Sequence, residues 1–220
     1  MVYITGDLHG DLARLSAPDM RQVKKGDTLI VCGDFGFIWN GDRREKKILK
    51  RLLFLDGRHE NYDLLAAYEE SEWHGGRAQV IEGNLVHLMR GEIYDIEDES
   101  YFVFGGGESD DHDLRADSKT WWEAEMPTAG EMTHGLENLE AHGNQVDYVL
   151  THEPSARSSG YLARGARING VNVYLNQVEE RVRFKRWFFG CLHMDKTMSK
   201  QHIAVFSRVV PVHEPHHKKK

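Results

Sequence analysis

The residues in this sequence that are best suited to chemistry lie in short turns, each of which follows an apolar run. The first turn is Gly6-Asp7-Leu8-His9-Gly10, which comes directly after Val2-Tyr3-Ile4. Alternate side chains of an extended segment point to the same side, so Asp7 and His9 can bind one cation together. A single Asp-x-His pair is common in proteins. It gains weight here because similar turns follow it along the chain.

Four further turns place an aspartate or a histidine after an apolar segment. They are Gly33-Asp34, Gly57-Arg58-His59-Glu60, Thr151-His152 and Gly190-Cys191-Leu192-His193. Ligands of open α/β sheets bind at the carboxyl ends of the strands, where these side chains would meet. Carboxylates mixed with imidazoles suit Mn²⁺ best, with Fe or Zn²⁺ as alternatives, whereas Ca²⁺ prefers oxygen ligands alone. The sequence therefore predicts a site for one or two divalent ions.

This set of side chains is typical of a hydrolase that acts on phosphate esters. The two oxygens of Asp34 can bridge two ions, and a pair of ions can clamp a phosphoryl group and activate water. An imidazole beside them, such as that of His59, can protonate the leaving oxygen.

The elements that position these turns are short apolar runs rich in β-branched and aromatic residues, which predict strands. The predicted strands are 2–5, 28–32, 52–55, 101–104, 148–151, 187–189 and 203–206, and helical spacing predicts helices at 42–53, 61–70 and 171–182. Asn61 is a suitable N-cap for the second helix. Early alternation of strands and helices, followed by closely spaced strands, predicts a layered α/β domain with a mixed sheet. The sequence shows no repeat and no linker, so we expect one domain.

The bulk composition limits the classes of function. The chain has 220 residues, a formal net charge of −7 and two cysteines. The acidic balance argues against a broad nucleic-acid surface, and two cysteines do not make a disulfide framework. No apolar stretch is long enough to span a membrane, and the first residues lack the features of a secretory signal. We therefore expect a cytoplasmic protein that has neither nucleic acid nor a membrane as a partner.

The middle of the chain is less regular. It contains Gly105-Gly106-Gly107 and the pair Trp121-Trp122. Three glycines permit a tight turn or a close approach to phosphate, but there is no Gly-x-Gly-x-x-Gly and no Walker lysine. We expect a long surface loop whose tryptophans pack on the domain or on a partner, which leaves room for a homodimer. Substrate specificity would come from the loops near Trp39, 105–113 and the tryptophan pair.

Taken in order, the five turns resemble the calcineurin-like metallophosphoesterase superfamily of phage and bacterial type. Its motifs are D-x-H, G-D, G-N-H-[E/D], a later His and G-H-x-H, and the match spans residues 3 to 193. The resemblance implies a four-layer αββα sandwich of mixed sheets over residues 1–212, and we expect the tail at 213–220 to be disordered. It implies that Asp7, His9, Asp34 and His193 hold the first metal and that His59 is the general acid. Asp34, His152 and the residues at positions 58 and 191 would line the second metal.

The sequence departs from this pattern at two positions of the second metal site. Arg58 stands where the family has asparagine, and a guanidinium has no acceptor with which to bind a cation. Cys191 stands where the family has histidine, and a thiolate can bind zinc or iron.

Three outcomes follow from these departures. In the first, the second ion is lost. In the second, Arg58 takes the place of that ion and binds phosphate. In the third, Arg58 points away and an ion binds through Asp34, His152 and Cys191. We favour the second outcome, in which Arg58 replaces the ion, and this makes Arg58 a catalytic residue.

The predicted activity is hydrolysis of a phosphomonoester or phosphodiester, either a small molecule or a nucleotide. The alternative is a catalytically weakened binding or scaffold protein of the same fold.

Overall fold

The structure is a computed structural model, and it describes residues 1–39, 51–162 and 165–213. In these ranges the chain forms strands in two sheets, with helices outside them. The strands are β1 (Val2–Thr5), β2 (Thr28–Cys32), β3 (Arg51–Leu55), β4 (Glu70–Trp73), β5 (Gly76–Glu82), β6 (Leu85–Leu88), β7 (Glu92–Ile96), β8 (Glu99–Phe104), β9 (Tyr148–Thr151), β10 (Arg186–Phe189), β11 (Lys196–Thr197), β12 (His202–Ala204) and β13 (Val210–Pro211). The helices are α1 (Leu12–Leu15), α2 (Tyr62–Leu65), α3 (His112–Asp117), α4 (Ala129–Ala141), α5 (Ala156–Leu162) and α6 (Gly170–Arg181).

Each sheet is mixed, with parallel strands at its centre. The first sheet has the order β13-β1-β2-β3-β6-β5-β4, in which β1, β2, β3 and β6 run parallel. The second has the order β11-β12-β10-β9-β8-β7, in which β8, β9, β10 and β12 run parallel. Parallel strands are buried on both faces and so read as continuous apolar runs, as in the fully buried segment Thr28–Cys32.

Three apolar clusters show that the two sheets and the flanking elements form four layers. The central cluster joins the facing sides of the sheets, for example Ile30 and Leu53 of the first with Val103 and Leu150 of the second. A second cluster lies on the outer face of the first sheet and includes Leu65 of α2. The third packs α4 and α6 against the outer face of the second sheet. The predicted α/β sandwich of mixed sheets is confirmed.

The two longest helices begin at capping boxes, in which the side chains of the N-cap and the third helical residue each bond to the other's backbone. Thr128 and Glu131 form the box of α4, and Asn169 and Asn172 form the box of α6. Both helices are therefore stabilised at their N-terminal ends.

Several predicted elements differ in the structure. The helix predicted at 61–70 is wrong beyond its first turn: α2 ends at Leu65, and Glu70 begins β4, which pairs with β5. Most of the helix predicted at 42–53 lies outside the described residues, and residues 51–53 belong to β3 instead. The last predicted strand, 203–206, is shifted to His202–Ala204. The tail also lies outside the described residues except for His213, whose Nδ1 is 3.1 Å from the Tyr148 hydroxyl.

Candidate metal centre

The fold brings the predicted turns of both sheets to one edge. Asp7 and His9 follow β1, Asp34 follows β2, and His59 follows β3. His152 follows β9 and His193 follows β10, so the second sheet contributes from its own parallel strands. The carboxyl ends of parallel strands meet at one edge of a sheet, and the packing of the sheets face to face joins the two edges.

Four of the predicted ligands form a compact group. One donor atom each from Asp7, His9, Asp34 and His193 lies within 4.8 Å of the other three. His9 Nε2 and His193 Nε2 are 3.1 Å apart, and His193 Nε2 is 3.1 Å from Asp7 Oδ2. His9 Nδ1 is 3.9 Å from Asp34 Oδ2. Among the described residues this is the one group of three or more such side chains that could hold a metal ion.

The polar atoms of Asp7 show that the group fits a cation. The Asp7 side chain is 0 % exposed, and its Oδ1 accepts a hydrogen bond from the backbone N–H of Cys191 at 3.2 Å. Asp7 Oδ2 is buried and has no partner in hydrogen-bond geometry among the described residues, although the ring of His193 is close. A buried carboxylate oxygen without a donor is costly, and a divalent cation would satisfy it. Two carboxylates and two imidazoles suit Mn²⁺, Fe or Zn²⁺.

His59 is held against the centre by Asp34. The imidazole Nδ1 donates to Asp34 Oδ2 at 2.9 Å, and the backbone N–H of His59 donates to Asp34 Oδ1 at 2.7 Å. Burial opposes ionisation of Asp34, but His152 and the hydrogen bonds from His59 outweigh it and hold the pKa of Asp34 well below its usual range. The same contact with Asp34 raises the pKa of His59. The hydrogen bond therefore leaves Nε2 as the ring nitrogen of His59 that is not bound to Asp34.

The backbone of the centre is unusual. Four of its residues have a positive φ, between 44° and 65°: His9, Asp34, Cys191 and His193. Residues other than glycine seldom occupy this region. Gly33 has a φ of +91°, and a Cβ at this position would lie 1.9 Å from Nδ1 of His152. The glycine that precedes Asp34 is therefore needed for β2 to approach His152. Such strain is concentrated at functional sites.

The three residues predicted around a second ion lie beside the first group. His152 is fully buried, and its Nδ1 donates to the Cys32 carbonyl at 3.1 Å. Its Nε2 is 3.7 Å from Asp34 Oδ1 and has no hydrogen-bond partner among the described residues. Arg58 and Cys191 line a common cavity of about 320 Å³ with Glu153. Burial raises the pKa of the Cys191 thiol well above its ordinary value, although Arg58 opposes the shift.

Two buried acids that the sequence analysis did not assign hold the loops of the centre. Glu60 accepts hydrogen bonds from the backbone N–H groups of Phe35 and Gly36, at 2.5 and 3.1 Å, and so fixes the turn after Asp34. Glu153 accepts from Asn169 and Asn172 at the start of α6 and from the N–H of Glu108. Glu60 directly follows His59, and Glu153 directly follows His152. This adjacency to predicted site histidines is the signal by which the sequence could have identified both acids.

The glycine-rich segment differs from the long surface loop that was expected, because its glycines lie inside the protein. Gly105, Gly106 and Gly107 are buried. The N–H of Gly106 donates to the Asp56 carbonyl, and the N–H of Gly107 donates to the Glu125 carbonyl, both at 3.0 Å. These amides are satisfied within the protein, so the glycines serve close packing of the loop and not anion binding.

The sequence matches no protein-family model and no curated protein. Among solved structures, the fold is similar to a putative 5′-nucleotidase from Staphylococcus aureus in complex with α-ketoglutarate. The identity is 14 %, the TM-score is 0.44, and the match covers 97 % of this chain and 54 % of that one. The chain therefore spans about half the length of that protein. In the described part of the chain, no helix combines the length and the apolar character that crossing a bilayer requires.

Proposed function

We propose that the protein is a metal-dependent phosphoesterase that hydrolyses a small phosphate ester or a nucleotide. The observation that carries the proposal is the group of Asp7, His9, Asp34 and His193, whose donor atoms converge within 4.8 Å. A bound divalent ion, Mn²⁺ by preference, would supply Lewis-acid activation of the phosphoryl group and of the attacking water.

His59 would act as the general acid. Its Nδ1 is committed to Asp34, and this hydrogen bond sets the orientation of the ring and leaves Nε2 to deliver a proton to the leaving oxygen. The contact with Asp34 favours the protonated ring, which is the form that a general acid requires.

Arg58 would also bind the phosphate. Burial disfavours the charge of Arg58, but the carboxylates of Glu153 and Asp34 are among the groups that outweigh this effect and raise the pKa of its guanidinium. Its Nη1 donates to the Glu108 carbonyl at 3.0 Å, and its buried Nε has no partner among the described residues. A guanidinium held in this way can form charge-assisted bonds to phosphate. This supports the outcome in which Arg58 supplies the positive charge of a second ion.

The experiment is turnover of p-nitrophenyl phosphate and bis-p-nitrophenyl phosphate with added Mn²⁺, for the wild type and for Asp7→Asn. We expect Asp7→Asn to lose Mn²⁺ in calorimetry and to lower the rate by about 10² to 10³ or more, because a preorganised charge is removed. Asp19→Asn, an exposed aspartate outside the site, is the matched control and should behave as the wild type. Turnover that persists unchanged in Asp7→Asn would refute the proposal.

A second candidate function is binding or scaffolding without catalysis. The observation that favours it is the presence of Arg58 and Cys191 at positions where ligands of a second ion are expected. Stoichiometric binding of Mn²⁺ with no turnover of either ester would select this candidate.

A further inference from the structure

A second cavity lies beside the metal centre and is lined in part by His59. It has a volume of about 390 Å³ and is lined by His9, Gly36, Trp39, His59, Arg115 and Thr120. This is within the size range of small-molecule sites. Because His9 belongs to the metal group and His59 is the proposed acid, the cavity adjoins the position where the ester bond would break.

Trp39 forms one wall of this cavity and is tied to the loop that carries His59. Asn61 Nδ2 donates to the Trp39 carbonyl at 2.6 Å, and Glu60 holds the N–H groups of Phe35 and Gly36. The indole of Trp39 also packs edge to face against Trp122, with ring centroids 5.8 Å apart. The distance between the acid and the indole is therefore set by the fold.

Arg115 forms another wall and presents a planar group whose terminal nitrogens are already engaged. Nη1 donates to the Ser109 hydroxyl at 2.5 Å and to Glu125 Oε2 at 3.2 Å. Nη2 donates to the carbonyls of Arg58 and Thr120, at 3.1 and 2.8 Å. With these N–H groups engaged, the guanidinium has little hydrogen-bonding capacity left for a phosphate, whereas a planar guanidinium can still stack on an aromatic ring.

We propose that this cavity, which we call the Trp39 cavity, holds the leaving group of the substrate and selects one that carries a planar aromatic ring of about the size of a nucleobase. The inference rests on the proposed function, because the acid must face the leaving oxygen and so places the leaving group on the His59 side. An indole and a guanidinium plane in one cavity recognise a ring through its π face. The metal group and Arg58 would then bind the phosphate.

The kinetic test compares AMP with ribose 5-phosphate, which share the same leaving alkoxide and differ only in the base. We expect kcat/KM of the Mn²⁺-loaded wild type to favour AMP by about tenfold to a hundredfold, the range expected of one stacked base. Trp39→Leu should remove most of this preference by lowering kcat/KM for AMP, and Trp39→Phe should retain it. Tyr161→Leu, which removes an exposed ring outside the cavity, is the matched control and should keep the preference.

A binding test does not depend on turnover. Calorimetry with adenosine and ribose, the two leaving groups themselves, measures their affinity for the Mn²⁺-loaded protein. Adenosine should bind to the wild type and to Trp39→Phe with similar affinity, and at least about tenfold more weakly to Trp39→Leu. The affinity for ribose should be the same in all three proteins. Equal turnover of the two esters with no binding of adenosine would overturn the inference and leave the proposed function standing. Absence of turnover of AMP, of ribose 5-phosphate and of both p-nitrophenyl esters would refute the proposed function and the role of the ring as a leaving group, even if adenosine binding still depended on Trp39.

Discussion

Arg90 and Asp56 form a buried ion pair directly behind the loop that carries Arg58 and His59. Asp56 Oδ2 accepts from Arg90 Nε at 2.8 Å and from Nη2 at 2.6 Å, and the two side chains are only 2 % and 7 % exposed. Nη2 of Arg90 also donates to the Ala124 carbonyl at 2.8 Å. One guanidinium therefore joins the end of β3 to the segment that precedes α4.

We expect Arg90→Met to destabilise the protein strongly, because it leaves the Asp56 carboxylate buried without its cation. Loss of one partner of a buried pair costs about 3–5 kcal/mol. Asp56 keeps hydrogen bonds from the Tyr62 hydroxyl and from His87 Nε2, so the loss should lie near the lower end, about 3 kcal/mol. For a domain of this size, that corresponds to a fall in Tm on the order of 10 °C.

The assay is urea denaturation followed by circular dichroism, with Arg167→Met as the matched control. Arg167 makes an equally short ion pair, 2.5 Å to Glu108, but its side chain is 70 % exposed. Exposed pairs contribute less than about 1 kcal/mol, so the control should change the free energy of unfolding little. Equal losses of unfolding free energy in the two variants would refute the argument that the burial of an ion pair, and not its N···O distance, sets its contribution to stability.

The pH dependence tests the same pair. Burial raises the pKa of Asp56, but Arg90 and His87 outweigh it and hold this pKa well below its ordinary value of 3.8. A carboxyl whose pKa is lower in the folded state contributes its full stability above the unfolded pKa and loses it as the pH falls. The difference in unfolding free energy between wild type and Arg90→Met should therefore shrink as the pH is lowered below about 4. A difference that stays constant from pH 7 to pH 3 would contradict this assignment.

Two further predictions concern the metal centre itself. Gly33→Ala should destabilise the protein by more than Gly143→Ala and weaken Mn²⁺ binding in calorimetry. Both glycines have positive φ, which costs an alanine about 1–2 kcal/mol, but only a Cβ at position 33 would collide with His152. Similar losses of unfolding free energy in the two variants would show that backbone strain alone matters. The double variant Arg58→Asn, Cys191→His should raise the metal content from one ion to two per chain by elemental analysis, and an unchanged content would show that these positions do not line a second ion.

The sequence was sufficient where an element is marked by its own residues. The runs at 2–5, 28–32 and 148–151 are strands with the predicted bounds, because strands buried on both faces must be continuously apolar. Asn61 caps α2 as expected. The helix predicted beyond it fails since Glu70 and its neighbours pair with β5, and a pairing between strands overrides local spacing.

The sequence by itself determined which side chains stand at the ends of the central strands, because those residues follow directly from the order of the chain. Only the tertiary structure decided that they meet. His9 and His193 are separated by 184 residues, yet their Nε2 atoms are 3.1 Å apart, since the face-to-face packing of two sheets brings distant strand ends to one edge. The hydrogen bonds that Glu60 accepts from Phe35 and Gly36, and the walls of the Trp39 cavity, likewise depend on contacts between segments that no local pattern specifies.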